Sequence, residues 1–131
     1  MKYKILSHTA DLRLEVYGKT IEELFKNAAE ALADIQKKGA VGRELKERIA
    51  VEAASQSALL VDFLNDILAK SQINKAVYRV DSLDFAGNKL TAKISGAKVE
   101  KFDEDVKAVT YHEADVKKDG DLFTAKLVLD I

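Results

Sequence analysis

Leu12-Arg13-Leu14-Glu15-Val16-Tyr17-Gly18-Lys19-Thr20-Ile21-Glu22-Glu23-Leu24-Phe25 changes its period halfway along. Up to Gly18, the apolar residues Leu12, Leu14 and Val16 alternate with Arg13, Glu15 and Tyr17. That is the two-residue period of a half-buried strand. From Thr20 the spacing turns helical. Thr20 and Glu23 stand three apart, as in a capping box, where each side chain satisfies a free amide of the other's first turn. Behind them Ile21, Leu24, Phe25, Ala28, Leu32 and Ile35 form a 3.6-residue stripe. Lys37-Lys38-Gly39 predicts the stop, with cations against the carbonyl end of the helix and a glycine to end it.

Working outward, residues 3–8 read as a strand, and His8-Thr9-Ala10-Asp11 as the bend before the next one. Residues 40–44 read as a loop, and 45–54 as a strand with Ile49, Val51 and Ala53 facing in. Ser55 or Ser57 caps a second helix, which carries Leu59, Leu60, Phe63, Leu64, Ile67 and Leu68 to about residue 71. Strands follow over 77–85 and 90–94, joined by the turn chemistry of Gly87-Asn88. The segment 98–105 is charged loop. Residues 106–118 and 121–131 flank Asp119-Gly120, a preferred two-residue hairpin turn. No Pro-rich or Gly/Ser-rich linker and no repeat interrupts the chain. The expectation is a single α+β domain over 1–131, a mostly antiparallel β-sheet packed with two α-helices.

The chain of 131 residues is long enough for one sizeable core. No run of about 18 apolar residues offers a membrane span, and the start is too short in apolar residues for a signal peptide. Cysteine is absent, which excludes thiolate metal sites and disulfides and points to a cytoplasmic protein. Twenty-one basic and 22 acidic residues nearly balance, so a broad basic surface for nucleic acid is not expected. A protein or small-molecule partner is favoured.

The alternation Phe123, Ala125, Leu127, Leu129, Ile131 continues to the last residue. It predicts an anchored strand with no tail, which sets the Asp130 side chain beside the Ile131 α-carboxylate. Fixed carboxylates of this kind suit a hard metal ion or a cationic partner. With Asp119-Gly120 as the turn, Lys118 faces Asp121, Glu113 faces Lys126, Tyr111 faces Val128 and Val109 faces Asp130. Ala108, Thr110, His112, Ala114 and Val116 then form the core side, and Lys107 becomes a diagonal neighbour of Asp130, about 7–8 Å away between backbones. The same pair also reads as an ordinary surface ion pair, worth about 0–1 kcal/mol.

His8 and His112 are the only histidines, too few for a cysteine-free zinc site, and each reads most simply as structural. Gly18-Lys19-Thr20 lacks the earlier glycine of a phosphate-binding loop, since position 13 is Arg13. Asp103-Glu104-Asp105 reads as a solvated acidic loop, and Asp11 as a bend carboxylate or an Asx-turn residue.

Four segments together resemble the archease family: His8-Thr9-Ala10-Asp11, Gly18-Lys19-Thr20-Ile21-Glu22-Glu23-Leu24-Phe25, Val106-Lys107-Ala108-Val109-Thr110-Tyr111-His112 and the terminal Asp130-Ile131. Leu59-Leu60-Val61-Asp62-Phe63-Leu64-Asn65-Asp66-Ile67-Leu68 also fits. The resemblance implies an activator and not an enzyme. Its partner would be the GTP-dependent tRNA-splicing RNA ligase, whose guanylylation and multiple turnover it promotes, so that RNA is met only through the ligase. It implies a divalent-metal site at Asp11, Asp130 and Ile131; three oxygen donors make a hard site, for which Ca²⁺, or else Mg²⁺ or Mn²⁺, is expected. It implies that Lys107 is needed for ligase activation, with His8 and His112 as candidate supporting groups. The family often carries an acid just before the Leu-Leu of the middle helix, where this chain has Ser55-Gln56-Ser57-Ala58. Two other classes stay open. A metal-dependent phosphoesterase needs an open coordination position and a general base, and no second His or carboxylate cluster supplies one. A chaperone-like interaction module needs no metal.

Overall fold

In the computed structural model the described residues are 1–8 and 11–131, residues 7 and 8 by backbone alone. The chain runs β1 (Tyr3–His8), β2 (Leu12–Gly18), α1 (Ile21–Lys37), β3 (Leu45–Glu52), α2 (Gln56–Asn74), β4 (Ala76–Ala86), β5 (Lys89–Lys98), β6 (Ala108–Thr110), β7 (Lys117–Asp119) and β8 (Leu122–Asp130). All strand pairs are antiparallel, as the α+β reading requires.

The strands form two sheets, β1-β2-β8-β6 with β7 also on β8, and β3-β5-β4. Both helices lie between them. Helix α1 packs on β2 of one sheet and β4 of the other, and α2 packs on β3, β4 and β6. The residues explain this layering. In α2, Leu59, Leu60, Val61, Phe63, Leu64, Ile67 and Leu68 are all buried, so apolar groups surround most of its girth. Such a helix needs cover on more than one side. Phe25 of α1 meets Phe63 of α2 at 5.8 Å and Phe85 of β4 edge-on at 5.0 Å, which ties helices and second sheet into one core.

The junction read from the sequence forms as expected. The Glu23 amide donates to Thr20 Oγ1 at 3.0 Å, while Glu23 Oε1 reaches back one residue further, to the Lys19 amide. Gly18 is required by closeness: a Cβ there would lie 2.3 Å from the Leu24 nitrogen, because the helix start folds directly over the strand end. Ser55, rather than Ser57, caps α2 through the Ala58 amide.

The last hairpin departs from its predicted register. Asp119 pairs with Leu122, so Gly120 and Asp121 are the central turn residues, and Gly120 takes the φ of +61° that favours glycine. Near the turn Lys117 pairs with Thr124; farther out Thr110 pairs with Val128 and Ala108 with Asp130. Seven residue steps (110 to 117) thus oppose four (128 to 124), and residues 111–116 leave the sheet. Long-range side-chain bonds hold that excursion. Arg13 Nη1 donates to Glu113 Oε2 at 2.7 Å, Tyr111 Oη donates to Asp62, and the Val116 amide donates to Ser57 Oγ at 2.9 Å. Glu113 itself adopts φ +60°. The predicted partners therefore change. Lys126 faces Glu15 of β2, and Val109 turns inward onto Leu129 while Ala108 opposes Asp130. His112 is exposed and not on the core side.

Candidate functional site

Strand β8 is the centre of the site because it has neighbours on both flanks. On one side Leu12 pairs with Leu129 as the last pair of the ladder, and that register continued one step, to the bend residue Asp11, would set it opposite Asp130. Opposite residues of an antiparallel pair have Cα atoms about 4.5–5.5 Å apart. On the other side Ala108 pairs with Asp130, and the Lys107 amide donates to the Asp130 carbonyl at 2.7 Å. Leu12 and Leu129 point into the core, so Asp11 and Asp130 share the outer face. Asp130 is exposed, while the side chain of Ile131 packs partly buried against the core and anchors the end of the strand. The structure thus brings Asp11, Lys107, Asp130 and Ile131 to one end of one sheet. Lys107 reaches this place by a different register from the predicted one, and Lys107 Nζ forms no ion pair with Asp130 among the described residues.

Arg13 lies next to Asp11 on the same face. Its Nε donates to Asp11 Oδ1 at 3.3 Å and its Nη1 to Glu113, and these anions, Glu113 foremost, raise the guanidinium pKa further. Sequence reasoning missed this Asp11–Arg13–Glu113 chain. The signal for the first link was present, since i and i+2 on a strand share a face. The second spans a hundred positions and left none.

A second group missed from sequence lies on α2. Asn65 Nδ2 donates to the Val109 carbonyl at 2.8 Å, and the Val109 amide donates to Asn65 Oδ1 at 2.9 Å. Gln72 Nε2 donates to the Val106 carbonyl at 2.8 Å. Polar residues seven apart on a mostly apolar helix were the available sign, because i and i+7 lie on one face.

His112 sits in the excursion, with Nε2 at 4.0 Å from Glu113 Oε1, away from the Asp130 end of the pairing. The side chain of His8 lies outside the described residues, as do Thr9 and Ala10. Asp103 pairs with Lys37 at 3.0 Å on the surface, and both Asp103 and Asp105 are exposed, as a solvated acidic loop requires. Among the described residues no three His, Cys, Asp or Glu side chains group as a metal cage. The side-chain oxygen donors near the sheet end are the Asp11 and Asp130 carboxylates, hard donors of the kind that suit Ca²⁺ or Mg²⁺ and not thiophilic metals. A cleft of about 730 Å³ opens elsewhere, at the start of α1, lined by Lys2, Glu22, Lys26, Glu30 and Arg79 among others; Asp11, Lys107 and Asp130 are not in its wall. Among the described residues no helix is long and apolar enough to cross a membrane.

The family model described as the Archease protein family (MTH1598/TM1083) matches residues 3–131. The chain belongs to the archease family. Protein archease of Methanosarcina barkeri is 34% identical over 141 residues, spanning 99% of this chain and 96% of its own. Protein archease of Pyrococcus abyssi is 35% identical over 141 residues, spanning 99% of both chains. Among solved structures, the solution structure of Methanobacterium thermoautotrophicum protein 1598 superposes with a TM-score of 0.81 at 25% identity, covering 98% of each chain. A Thermotoga maritima crystal structure, described as an archease and possible chaperone, gives a TM-score of 0.72 at 25% identity, covering 98% of this chain and 96% of its own. The archease fold therefore extends over the two sheets and both helices, including the sheet end that carries Asp11 and Asp130.

Proposed function

We propose that this chain activates a GTP-dependent RNA ligase of the tRNA-splicing type, and that the end of β8 is the part that does so. The observation that carries the reading is the convergence of Asp11, Lys107 and Asp130 from three chain segments onto one exposed sheet end. A charged, exposed end that lines no cleft among the described residues suits docking onto another protein better than it suits enclosing a small substrate. In this reading Asp11, Asp130 and the Ile131 carboxylate would hold a divalent cation, Ca²⁺ before Mg²⁺ or Mn²⁺. The cation, when bound, supplies a fixed positive charge among the carboxylates. Lys107 offsets the carboxylates from the other flank and presents its amine to the ligase or to the phosphates of GTP. Activation follows if this end binds the ligase more tightly in the state competent for transfer of GMP to its histidine than in the other states. The chain itself carries out no turnover.

The test is ligase guanylylation, followed as GMP transfer from labelled GTP with pyrophosphate release, with wild type, Asp130→Ala, Lys107→Ala and a two-residue C-terminal extension. Loss of stimulation in all three supports the proposal; full stimulation by all three overturns it. The chaperone description of the Thermotoga relative favours a second reading, a general holding module. Suppression of aggregation of an unrelated denatured protein, unaffected by Asp130→Ala, would select that reading.

A further inference from the structure

We infer that Asn65 and Gln72 are positioning residues that aim Lys107 at the Asp130–Ile131 end, so that α2 sets the geometry of the activating surface. The inference rests on the ligase-activation reading and adds to it the device that holds the lysine in place.

Strand β6 is the edge of its sheet, with β8 on one side only. An edge strand leaves alternate amides and carbonyls without a ladder partner. Here Asn65 fills the place of the absent strand. Its carboxamide accepts from the amide and donates to the carbonyl of one residue, Val109, as a hydrogen-bonded strand neighbour would. Gln72, two helical turns on, takes the Val106 carbonyl. The Val106 and Val109 side chains are buried in the core. Lys107 lies between these two clamps, its own amide fixed on the Asp130 carbonyl. The backbone that carries it is therefore held from the helix, from the core and from β8.

Residues 102–107 are not in a strand, so a single backbone bond, from the Lys107 amide to the Asp130 carbonyl, is all that β8 contributes to holding the Lys107 stem. Without Asn65 and Gln72 the segment keeps its two valine anchors and the Lys107 amide bond to Asp130, and loses the bonds to α2 on either side of Lys107. The lysine side chain is then no longer carried from a fixed place beside the Asp130–Ile131 end. An amine displaced by about 1 Å from its working position lowers a geometry-dependent rate on the order of tenfold to a hundredfold.

The experiment uses the full chain with Asn65→Ala, Gln72→Ala, Lys107→Ala and the Asn65→Ala/Lys107→Ala double variant. Gln72 is exposed, so its truncation leaves the α2 core untouched if Asn65→Ala folds poorly. Two quantities are read: amide hydrogen exchange by NMR, and ligase guanylylation. In the Asn65 and Gln72 variants the Lys107 amide exchanges about tenfold faster, the factor corresponding to roughly one net hydrogen bond, while β5 amides keep their rates. Stimulation falls at least about tenfold in the Asn65 variant. The double variant stimulates no less than Lys107→Ala alone, because Asn65 acts through the lysine. Equal loosening of β5, further loss in the double variant, or full stimulation despite a loosened Lys107 amide each overturns the inference. If Lys107→Ala alone stimulates like wild type, the activation reading itself has failed, and the positioning role falls with it.

Discussion

Asp130→Asn tests whether the Asp130 charge serves the proposed cation site or the fold, since the two roles predict different changes in stability. Asn is isosteric and keeps every backbone contact of position 130, including the carbonyl that accepts from Lys107. The Asp130 carboxylate forms no ion pair among the described residues, and its neighbour Asp11 brings a further carboxylate. Like charges directly opposite across strands are destabilising by about 0.2–1 kcal/mol. Arg13 beside Asp11 offsets part of this. In metal-free buffer the variant should therefore equal or slightly exceed wild type, by up to about 1 kcal/mol, or roughly 3–6 °C in Tm for a domain of this size. With Ca²⁺ the order reverses. At a hundred times its Kd, a cation bound only by the folded state stabilises wild type by about 2.7 kcal/mol. That is roughly 10 °C in Tm. The variant, short of one charged donor, should gain little at the same concentration. Differential scanning calorimetry with chelator and then with Ca²⁺ decides it, and calorimetric titration gives the Kd values. A metal-free variant melting more than 5 °C below wild type, or equal Ca²⁺ shifts in both proteins, would refute the reasoning.

Phe25→Ala should cost about 3–5 kcal/mol, because the ring is fully buried and touches Phe63 and Phe85; urea denaturation measures it, and a loss below 1 kcal/mol would mean the helices do not share that core. His112→Ala should change stability by less than about 0.5 kcal/mol, since the side chain is exposed in the excursion; a large loss would restore the core position predicted from sequence. The pKa values of Tyr3, Tyr17, Tyr78 and Tyr111 are raised above the ordinary 10.0, through burial for Tyr3 and Tyr78 and through hydrogen bonds to Glu15 and Asp62 for Tyr17 and Tyr111. Their contribution is complete below the unfolded value and is lost as pH rises through the folded ones, because the unfolded chain releases the protons first. Tm should accordingly fall as pH rises above about 10, and a flat profile there would count against these environments. Glu113→Gln should weaken the hold on residues 111–116, seen as faster exchange of the Val116 amide, whereas unchanged protection would show that Ser57 suffices.

Local chemistry alone carried the elements. The period change at Gly18, the Thr20–Glu23 box, the Ser55 cap and the Gly87-Asn88 turn each depend on residues within one helical turn of each other, and each is where the sequence puts it. The inward run Ala125, Leu127, Leu129, Ile131 was equally legible, since a strand's two faces follow from parity. Pairing was less so. Asp119-Gly120 promised one turn and the chain uses Gly120-Asp121, because residues 111–116 are drawn out by Arg13, Asp62 and Ser57, and nothing local to the hairpin records those partners.

The sequence by itself thus determined where the two helices and most of the strands lie and which faces are apolar, and its likeness to the archease family singled out Asp11, Lys107, Asp130 and Ile131 as candidates. Only the tertiary structure decided that the strands divide into two sheets around the helices, that Asp11 and Ala108 flank Asp130 across β8, and that Asn65 and Gln72 hold the segment bearing Lys107. The physical reason is range. Capping and periodicity are settled between neighbours, whereas the choice of strand partner and the satisfaction of an edge are settled between residues that meet only when the core closes.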